Sequence, residues 1–285
     1  MNHTKIGWIG LGNMGIPMAE QLINAGYAVM VYNRSKDKEA SLKEMGASIA
    51  QTPQDLITTT DVVIVMVSDD AAIAQIFNGE GGLLRVETSG KIIINMSTVS
   101  PSISKEMAAL CKANGNFYLD APVSGSVKQA ETGQLVIMVG GEEDVFNQVK
   151  PILEKMGKLA KLVGENGAGN SAKLAINSLL ALYAQGLAET VLFANKQGIK
   201  TSDLLELINN AAIGNIFTKI KGDAIIADHY KAAFALKHIV KDLNLAKAEG
   251  ISSPLAKTAL NTFGDAAAKY GEEDIIAIIK QLSGN

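Results

Sequence analysis

The pattern of hydrophobic and polar positions divides the chain in two. In the first half, short apolar runs alternate with amphipathic stretches. The runs Lys5–Ile9, Ala28–Tyr32, Val62–Val67, Ile92–Asn95, Phe117–Leu119 and Leu135–Val139 predict strands. Among them, Gly15–Ala25, Asp37–Met45, Ala71–Phe77, Ser102–Ala113 and Asp144–Met156 carry helical spacing. A continuous Val/Ile/Met run such as Val62–Val67 suits a strand buried on both faces. That implies a parallel sheet covered by helices.

After Gly164 no bounded β run follows. Ala168–Lys196 predicts one long helix, rich in Ala and Leu and free of proline. Further helices fit Ser202–Asn210, Ala232–Ala248, Leu255–Tyr270 and Glu273–Gln281. The change of character falls near Leu162–Gly167. The expected domains are therefore 1–163, α/β, and 164–285, all helical. No repeat and no low-complexity linker separates them.

Composition narrows the function. Of 285 residues, 47% are hydrophobic and 19% charged, which supports a sizeable core and excludes a disordered chain. A net charge of −3 argues against nucleic acid as a partner. Asn177, Gln185 and Glu189 interrupt the most apolar stretch, Leu174–Leu192, so no membrane span is expected. The lone Cys111 excludes an internal disulfide. With His3, His229 and His238 it makes no zinc-like spacing, so no metal site is expected. No secretory pattern opens the sequence, and the expected compartment is a reducing one, the cytoplasm. Only two arginines occur, Arg34 and Arg85, so the place of each bears on anion recognition.

Gly10-Leu11-Gly12-Asn13-Met14-Gly15 follows the first strand and opens the first helix. Gly10 permits the tight turn, Gly12 lets the backbone approach a pyrophosphate, and Gly15 lets helix and strand pack closely. The helix N-terminus then faces phosphate charge. In a run of alternating β and α elements, this motif predicts a Rossmann-type doubly wound sheet binding a dinucleotide. The second strand ends in Asn33-Arg34-Ser35, where an acidic residue would hold an adenosine ribose of NAD. A neutral Asn33 beside Arg34 favours the extra phosphate of NADP(H), with NAD(H) as the alternative. Met66, Val67 and Ser68 close another parallel strand, where ligands of open sheets collect.

Four motifs in register resemble the β-hydroxyacid dehydrogenase family, which includes 3-hydroxyisobutyrate dehydrogenases and glyoxylate/succinic semialdehyde reductases. They are Gly10 to Ala19; Asp120-Ala121-Pro122-Val123-Ser124-Gly125-Ser126 with Glu131-Thr132-Gly133; Gly164-Glu165-Asn166-Gly167-Ala168-Gly169 with Lys173 and Asn177; and Lys241-Asp242-Leu243-Asn244-Leu245-Ala246. The resemblance implies hydride transfer between a nicotinamide and a small carboxylate-bearing alcohol or aldehyde. It makes Lys173 the acid/base and places Asn177, four residues on, on the same helix face toward an interdomain cleft. It gives Ser124, Gly125 and Ser126 to the substrate carboxylate, and Thr98 to the nicotinamide side of the cofactor. Lys241 then reaches cofactor or substrate, Asp242 supports structure, and Phe234 is a candidate cleft wall. It also implies a homodimer or homotetramer.

Two departures bear on the substrate. Ser126 stands where many 3-hydroxyisobutyrate dehydrogenases carry Gly, and Gln129 where the semialdehyde reductase branch often has Pro. Two other readings stay open. One is an imine reductase-like NADPH enzyme, disfavoured by a lysine at position 173. The other is a non-catalytic NADP-binding module, disfavoured by Lys173, Asn177 and Lys241 together.

Overall fold

A computed structural model describes residues 4–284, so His3 lies outside the described residues. Contacts divide the chain into two units at Lys173/Leu174, inside the long helix and ten residues past the change of pattern in the sequence.

The first unit holds nine strands among the described residues: β1 (Lys5–Ile9), β2 (Ala28–Tyr32), β3 (Ser48–Ile49), β4 (Val62–Val65), β5 (Ile92–Asn95), β6 (Phe117–Asp120), β7 (Val123–Ser124), β8 (Leu135–Gly140) and β9 (Gly157–Gly164). Its helices are α1 (Gly15–Asn24), α2 (Ala40–Glu44), α3 (Pro53–Thr59), α4 (Asp70–Asn78), α5 (Pro101–Ala113), α6 (Val127–Glu131) and α7 (Glu143–Met156). The sheet order is β3-β2-β1-β4-β5-β6-β8-β7, with β9 on β8. Strands β1 to β6 pair in parallel, whereas β8 runs antiparallel to β6 and β7. This is a doubly wound sheet whose order reverses between β1 and β4.

Burial explains the apolar runs. All four residues of β4 are buried, Val62 and Ile64 in one cluster and Val63 and Val65 in the other. Successive side chains leave opposite faces of a strand, so a sheet covered on both sides needs an unbroken run. The expected strand over Val62–Val67 stops at Val65, and Met66 and Val67 form the turn beyond it.

Several short or half-exposed elements of the first unit depart from the pattern-based expectation. Strand β3 has two residues, as does β7, which lies where the sequence suggests only a turn. Helix α3 is set by a capping box of Thr52 and Asp55 with Pro53 at its first position. Strand β9 turns Ala160 and Leu162 to the core and exposes Lys158, Leu159, Lys161 and Val163, so it carries no continuous apolar run to mark it as a strand.

Helix α8 (Ala168–Lys196) spans the division between the units. It is long and apolar enough to cross a membrane by length and composition. One face is nevertheless packed in protein: Ala181, Ala184, Leu187, Ala188 and Val191 belong to the second unit's core. The second unit adds α9 (Thr201–Asn210), α10 (Ile216–Ile226), α11 (Leu236–Ala248), α12 (Pro254–Tyr270) and α13 (Ile278–Ser283). Helix α10 has no counterpart among the helices expected from the pattern. The helix expected from Ala232 begins only at Leu236, because Asp274 Oδ2 accepts from Ala233 N (3.0 Å) and Phe234 N (3.3 Å), which holds that segment extended. The helix expected over Glu273–Gln281 is a 3-10 turn at Ile275–Ala277 followed by α13.

Candidate active site

The Gly10–Gly15 turn lies where the sheet order reverses. A Cβ at Gly10 (φ +100°) would meet Met66 O at 2.1 Å, and one at Gly15 would meet Gly10 O at 2.1 Å. Trp8 Nε1 donates to that same Gly10 carbonyl at 3.0 Å, so the turn is fixed from inside the sheet. Gly12 differs: its Cβ would meet nothing within 4 Å. Helix α1 begins at N-cap Met14 without a side-chain cap, and Ile16 N in its first turn donates back to Gly12 O at 3.1 Å. An open approach at Gly12 and an uncapped helix N-terminus fit the pyrophosphate of a dinucleotide.

At the end of β2, Asn33 works as a tie. Its Oδ1 accepts from Leu11 N (2.9 Å) and its Nδ2 donates to Ser35 O (2.8 Å), so it joins the glycine turn to the next loop. Asn33 N donates to Glu39 Oε1 at 2.8 Å, and Lys36 Nζ lies 3.1 Å from the same oxygen. Glu39 is thus a buried carboxylate beside the turn, partly neutralised by Lys36. Sequence reasoning misses it. Arg34 is exposed, as is Ser35. Arg85 acts within the fold. Its Nε and Nη2 donate to Asn78 O at 3.0 and 2.6 Å, closing the C-terminus of α4.

Two further strand-end turns are cross-linked. Val67 N donates to Ser97 Oγ at 2.8 Å, tying the Met66–Ser68 turn to the one that holds Thr98. The Ser68 hydroxyl donates to Asp69 Oδ2 (2.7 Å), and Asp69 Oδ1 caps α4 through Ala72 N (2.8 Å). In the second motif, Ser124 pairs in register with Val136, and Gly125 sits at φ +145°. A Cβ there would meet Leu135 Cδ2 at 2.7 Å, so only glycine fits. Ser126 is engaged locally. Its N–H donates to Gln129 Oε1 at 2.8 Å and its hydroxyl donates to the same oxygen, forming the capping box of α6. Gln129 therefore has a local purpose, and the Ser124 N–H is taken up by the ladder to Val136.

The start of α8 is anchored by Asp120, which is fully buried. Its Oδ1 accepts from Gly167 N (2.7 Å) and its Oδ2 from Asn170 N (2.8 Å). Burial pushes its carboxyl up from the ordinary carboxylate range, against the opposing pull of these backbone N–H groups. Gly140 and Gly169 allow the close approach, since a Cβ at either would fall within 2.6 Å of a neighbouring oxygen. Lys173, one turn further, is 8% exposed. Such burial is uncommon for a lysine, whose charged end usually reaches water.

In the second unit, Asn177 Nδ2 donates to Asp242 Oδ2, and both residues are buried. Lys241 Nζ lies 3.1 Å from Asp242 Oδ1, an ion pair without hydrogen-bond geometry at that oxygen. Phe234 is half-buried on the second core, with the His238 ring centroid 6.0 Å from its own. Burial, then Lys237 and Lys241, hold His238 below its ordinary imidazole value. The Phe234 segment is fixed by Asp274, which also pairs with Lys221 Nζ at 2.7 Å. Both ions are buried, and sequence reasoning misses both. Cys111 is buried on α5, and burial pushes its thiol up to about 12, away from the thiolate form.

Comparison with known proteins follows the two halves of the chain. The family model for the NAD binding domain of 6-phosphogluconate dehydrogenase matches residues 5–166. The model for the NAD-binding of NADP-dependent 3-hydroxyisobutyrate dehydrogenase matches residues 167–282. The chain is 36% identical to the chloroplastic glyoxylate/succinic semialdehyde reductase 2 of Arabidopsis thaliana, across 99% of this chain and 80% of that protein. It is 35% identical to 2-(hydroxymethyl)glutarate dehydrogenase of Eubacterium barkeri, across 98% and 96%. A solved structure of Mycobacterium tuberculosis 3-hydroxyisobutyrate dehydrogenase with L-serine superposes with a TM-score of 0.90 at 30% identity, covering 98% of this chain and 99% of that one.

Proposed function

This chain belongs to the β-hydroxyacid dehydrogenase family of NAD(P)-dependent oxidoreductases acting on CH–OH groups, and from that premise we propose an NADP(H)-linked reductase of short carboxylate-bearing aldehydes with Lys173 as its acid/base. The observation that carries the reading is a buried lysine on a helix whose first turn is anchored by Asp120. The aldehydes are of the glyoxylate and succinic semialdehyde kind, with the 3-hydroxyisobutyrate type as the related alcohol. The 36% identity to a glyoxylate/succinic semialdehyde reductase supports that substrate class.

A bound nicotinamide supplies or accepts the hydride at the reacting carbon. The rest falls to the chain. In reduction, Lys173 as ammonium gives its proton to the carbonyl oxygen as that oxygen gains charge; in oxidation, the neutral amine takes the hydroxyl proton. Ser124 offers its hydroxyl and Gly125 its N–H to the substrate carboxylate, since the Ser124 N–H is taken by the ladder to Val136 and Ser126 is committed to Gln129. Asn177, with its NH2 committed to Asp242, presents its carboxamide oxygen to substrate or lysine. Gly10, Leu11, Gly12, Asn13, Met14 and Gly15 hold the pyrophosphate. Arg34, exposed beside the neutral Asn33, serves the 2′-phosphate of NADP.

We also propose that α8 carries a self-association surface. Ile176, Leu179, Tyr183 and Phe193 are exposed at spacings of three and four residues or their sums, with Gly186 and Thr190 completing the row. A row with that period suits a partner helix, and a second copy of the chain is the natural occupant.

The deciding experiment is NADPH oxidation with glyoxylate and with the succinic, methylmalonate and tartronate semialdehydes, in wild type and Lys173→Ala. The variant is expected to lose about 10²–10⁴-fold in kcat while its Kd for NADPH stays near the wild-type value. A Lys173→Ala enzyme that keeps its kcat overturns the assignment.

A further inference from the structure

One buried polar cluster in the first unit is not used by the chemistry above. Asn170, fully buried, lies one turn before Lys173 on α8. Its Oδ1 accepts from Val99 N at 3.0 Å, and its Nδ2 donates to Ser104 Oγ at 3.1 Å. The carboxamide can face only this way, because a backbone N–H donates and never accepts. Asn170 N in turn donates to Asp120 Oδ2 at 2.8 Å. Val99 directly follows Thr98, and Ser97 Oγ accepts from Val67 N. Hydrogen bonds therefore run from the Met66–Ser68 turn, through the Ser97–Val99 turn, into the helical turn that precedes the lysine.

We propose that Asn170 is a positioning residue, which fixes the Thr98 turn against the α8 turn before Lys173. Hydride transfer needs the nicotinamide and the proton donor to hold one geometry, and a misplacement of about 1 Å can cost about 10²-fold in rate. If Thr98 lies on the nicotinamide side, Asn170 sets the spacing between the two partners of the reaction from within the protein. It touches neither of them. The residue does this with three bonds at once: the side chain holds Val99 and Ser104, and the backbone holds Asp120. The inference rests on the reading of Lys173 as acid/base.

The test compares Asn170→Ala, Asn170→Asp and Ser104→Ala with wild type in the full chain. Asn170→Ala leaves the buried Val99 N–H without an acceptor. Its single-turnover hydride-transfer rate should fall roughly 10- to 100-fold, with a larger primary isotope effect from 4-deuterated NADPH and an NADPH Kd close to wild type. Asn170→Asp should recover most of that rate. Burial beside Asp120 favours its protonated carboxyl, which presents the same acceptor and donor as the carboxamide. Ser104→Ala should fall between. Should Asn170→Ala fail to fold, Asn170→Asp and Ser104→Ala still carry the comparison. Unchanged hydride transfer in the folded variants overturns the proposal, as does a rate loss matched by an equal loss of NADPH affinity. Lys173→Ala, measured alongside, separates the two readings: if it retains kcat the assignment of the lysine fails, whatever Asn170 does.

Discussion

Asn177 Nδ2 donates to Asp242 Oδ2 at 2.5 Å, so one carboxylate decides which end of a buried carboxamide faces outward from the bond. The NH2 is committed to Asp242, and the carbonyl oxygen of Asn177 is left for another partner. Asp242→Asn should keep most of the stability, because its amide oxygen can still accept. Asp242→Ala should cost about 1–3 kcal/mol by stranding the Asn177 NH2. Asn177→Ala should cost at least as much, because it leaves a buried carboxylate without that donor. Urea unfolding of the three variants checks the order. An Asn177→Ala protein as stable as wild type would contradict it.

The two glycines of the first turn should respond differently. Gly10 sits at φ +100° with Met66 O at 2.1 Å from its would-be Cβ. Gly10→Ala must therefore move the backbone, and should lower both Tm and NADPH affinity. Gly12→Ala meets no protein atom within 4 Å, so its Tm should match wild type. The added methyl instead occupies the space through which a pyrophosphate approaches. Its NADPH Kd should rise at least tenfold. Calorimetry and fluorescence titration separate the two effects.

Arg34→Ala tests the cofactor preference. Charge-assisted bonds to a phosphate are worth about 1.5–3 kcal/mol, which corresponds to roughly 10- to 100-fold. The ratio of kcat/KM for NADPH over NADH should fall by that factor, mainly through loss of the NADPH reaction. An unchanged ratio would remove Arg34 from the site. Arg85→Ala, which loses only the closure of α4, is the matched control.

These contrasts also mark what the sequence can reveal. The Gly10–Gly15 turn is local, so its residue types alone announce the tight turn and close approach. The apolar run of β4 is legible for a similar reason, since both its faces are buried. Asp120 is visible only as a motif member: its partners Gly167 and Asn170 lie 47 and 50 residues away, and no local pattern predicts such a pairing. Asp274 is the same case, reaching Lys221 across 53 residues and delaying the start of α11 through Ala233 and Phe234. Glu39 is hidden inside a run of alternating charge, where one carboxylate of several turns inward. Ser126 looks like its neighbours Ser124 and Gly125, and only the nearby Gln129 sets it apart.

Asp120 should leave a signature in stability against pH. Its folded-state carboxyl is held above the ordinary carboxylate range. Between the unfolded and folded values the native protein then binds more protons than the unfolded chain. Stability should therefore fall as pH rises through that window. Asp120→Asn removes the titration and should flatten this part of the curve. It also turns an NH2 toward a backbone N–H, which lowers stability at every pH. Urea midpoints from pH 4 to pH 7 for both proteins give the difference in slope, and parallel curves would contradict the assignment.

The exposed row on α8 predicts an assembly sensitive to single charges. Leu179 is 55% exposed and Phe193 is 68% exposed, values unusual for large apolar side chains on a well-packed helix. Tyr183, Gly186 and Thr190 line a shallow groove of about 170 Å³ together with Ile208 and Ile213, so the row continues into an apolar surface of the second unit. Gly186 has open space at its would-be Cβ, which lets a second helix approach closely there. Leu179→Glu or Phe193→Glu adds a charge that would be desolvated in a self-associated form and solvated in a monomer. The equilibrium should shift toward monomer, read as a lower mass by light scattering after size exclusion. The helical content should stay unchanged, because both positions face away from the core formed by Ala181, Ala184 and Ala188. A wild-type chain that is already monomeric at micromolar concentration would show that this surface serves something other than a second copy.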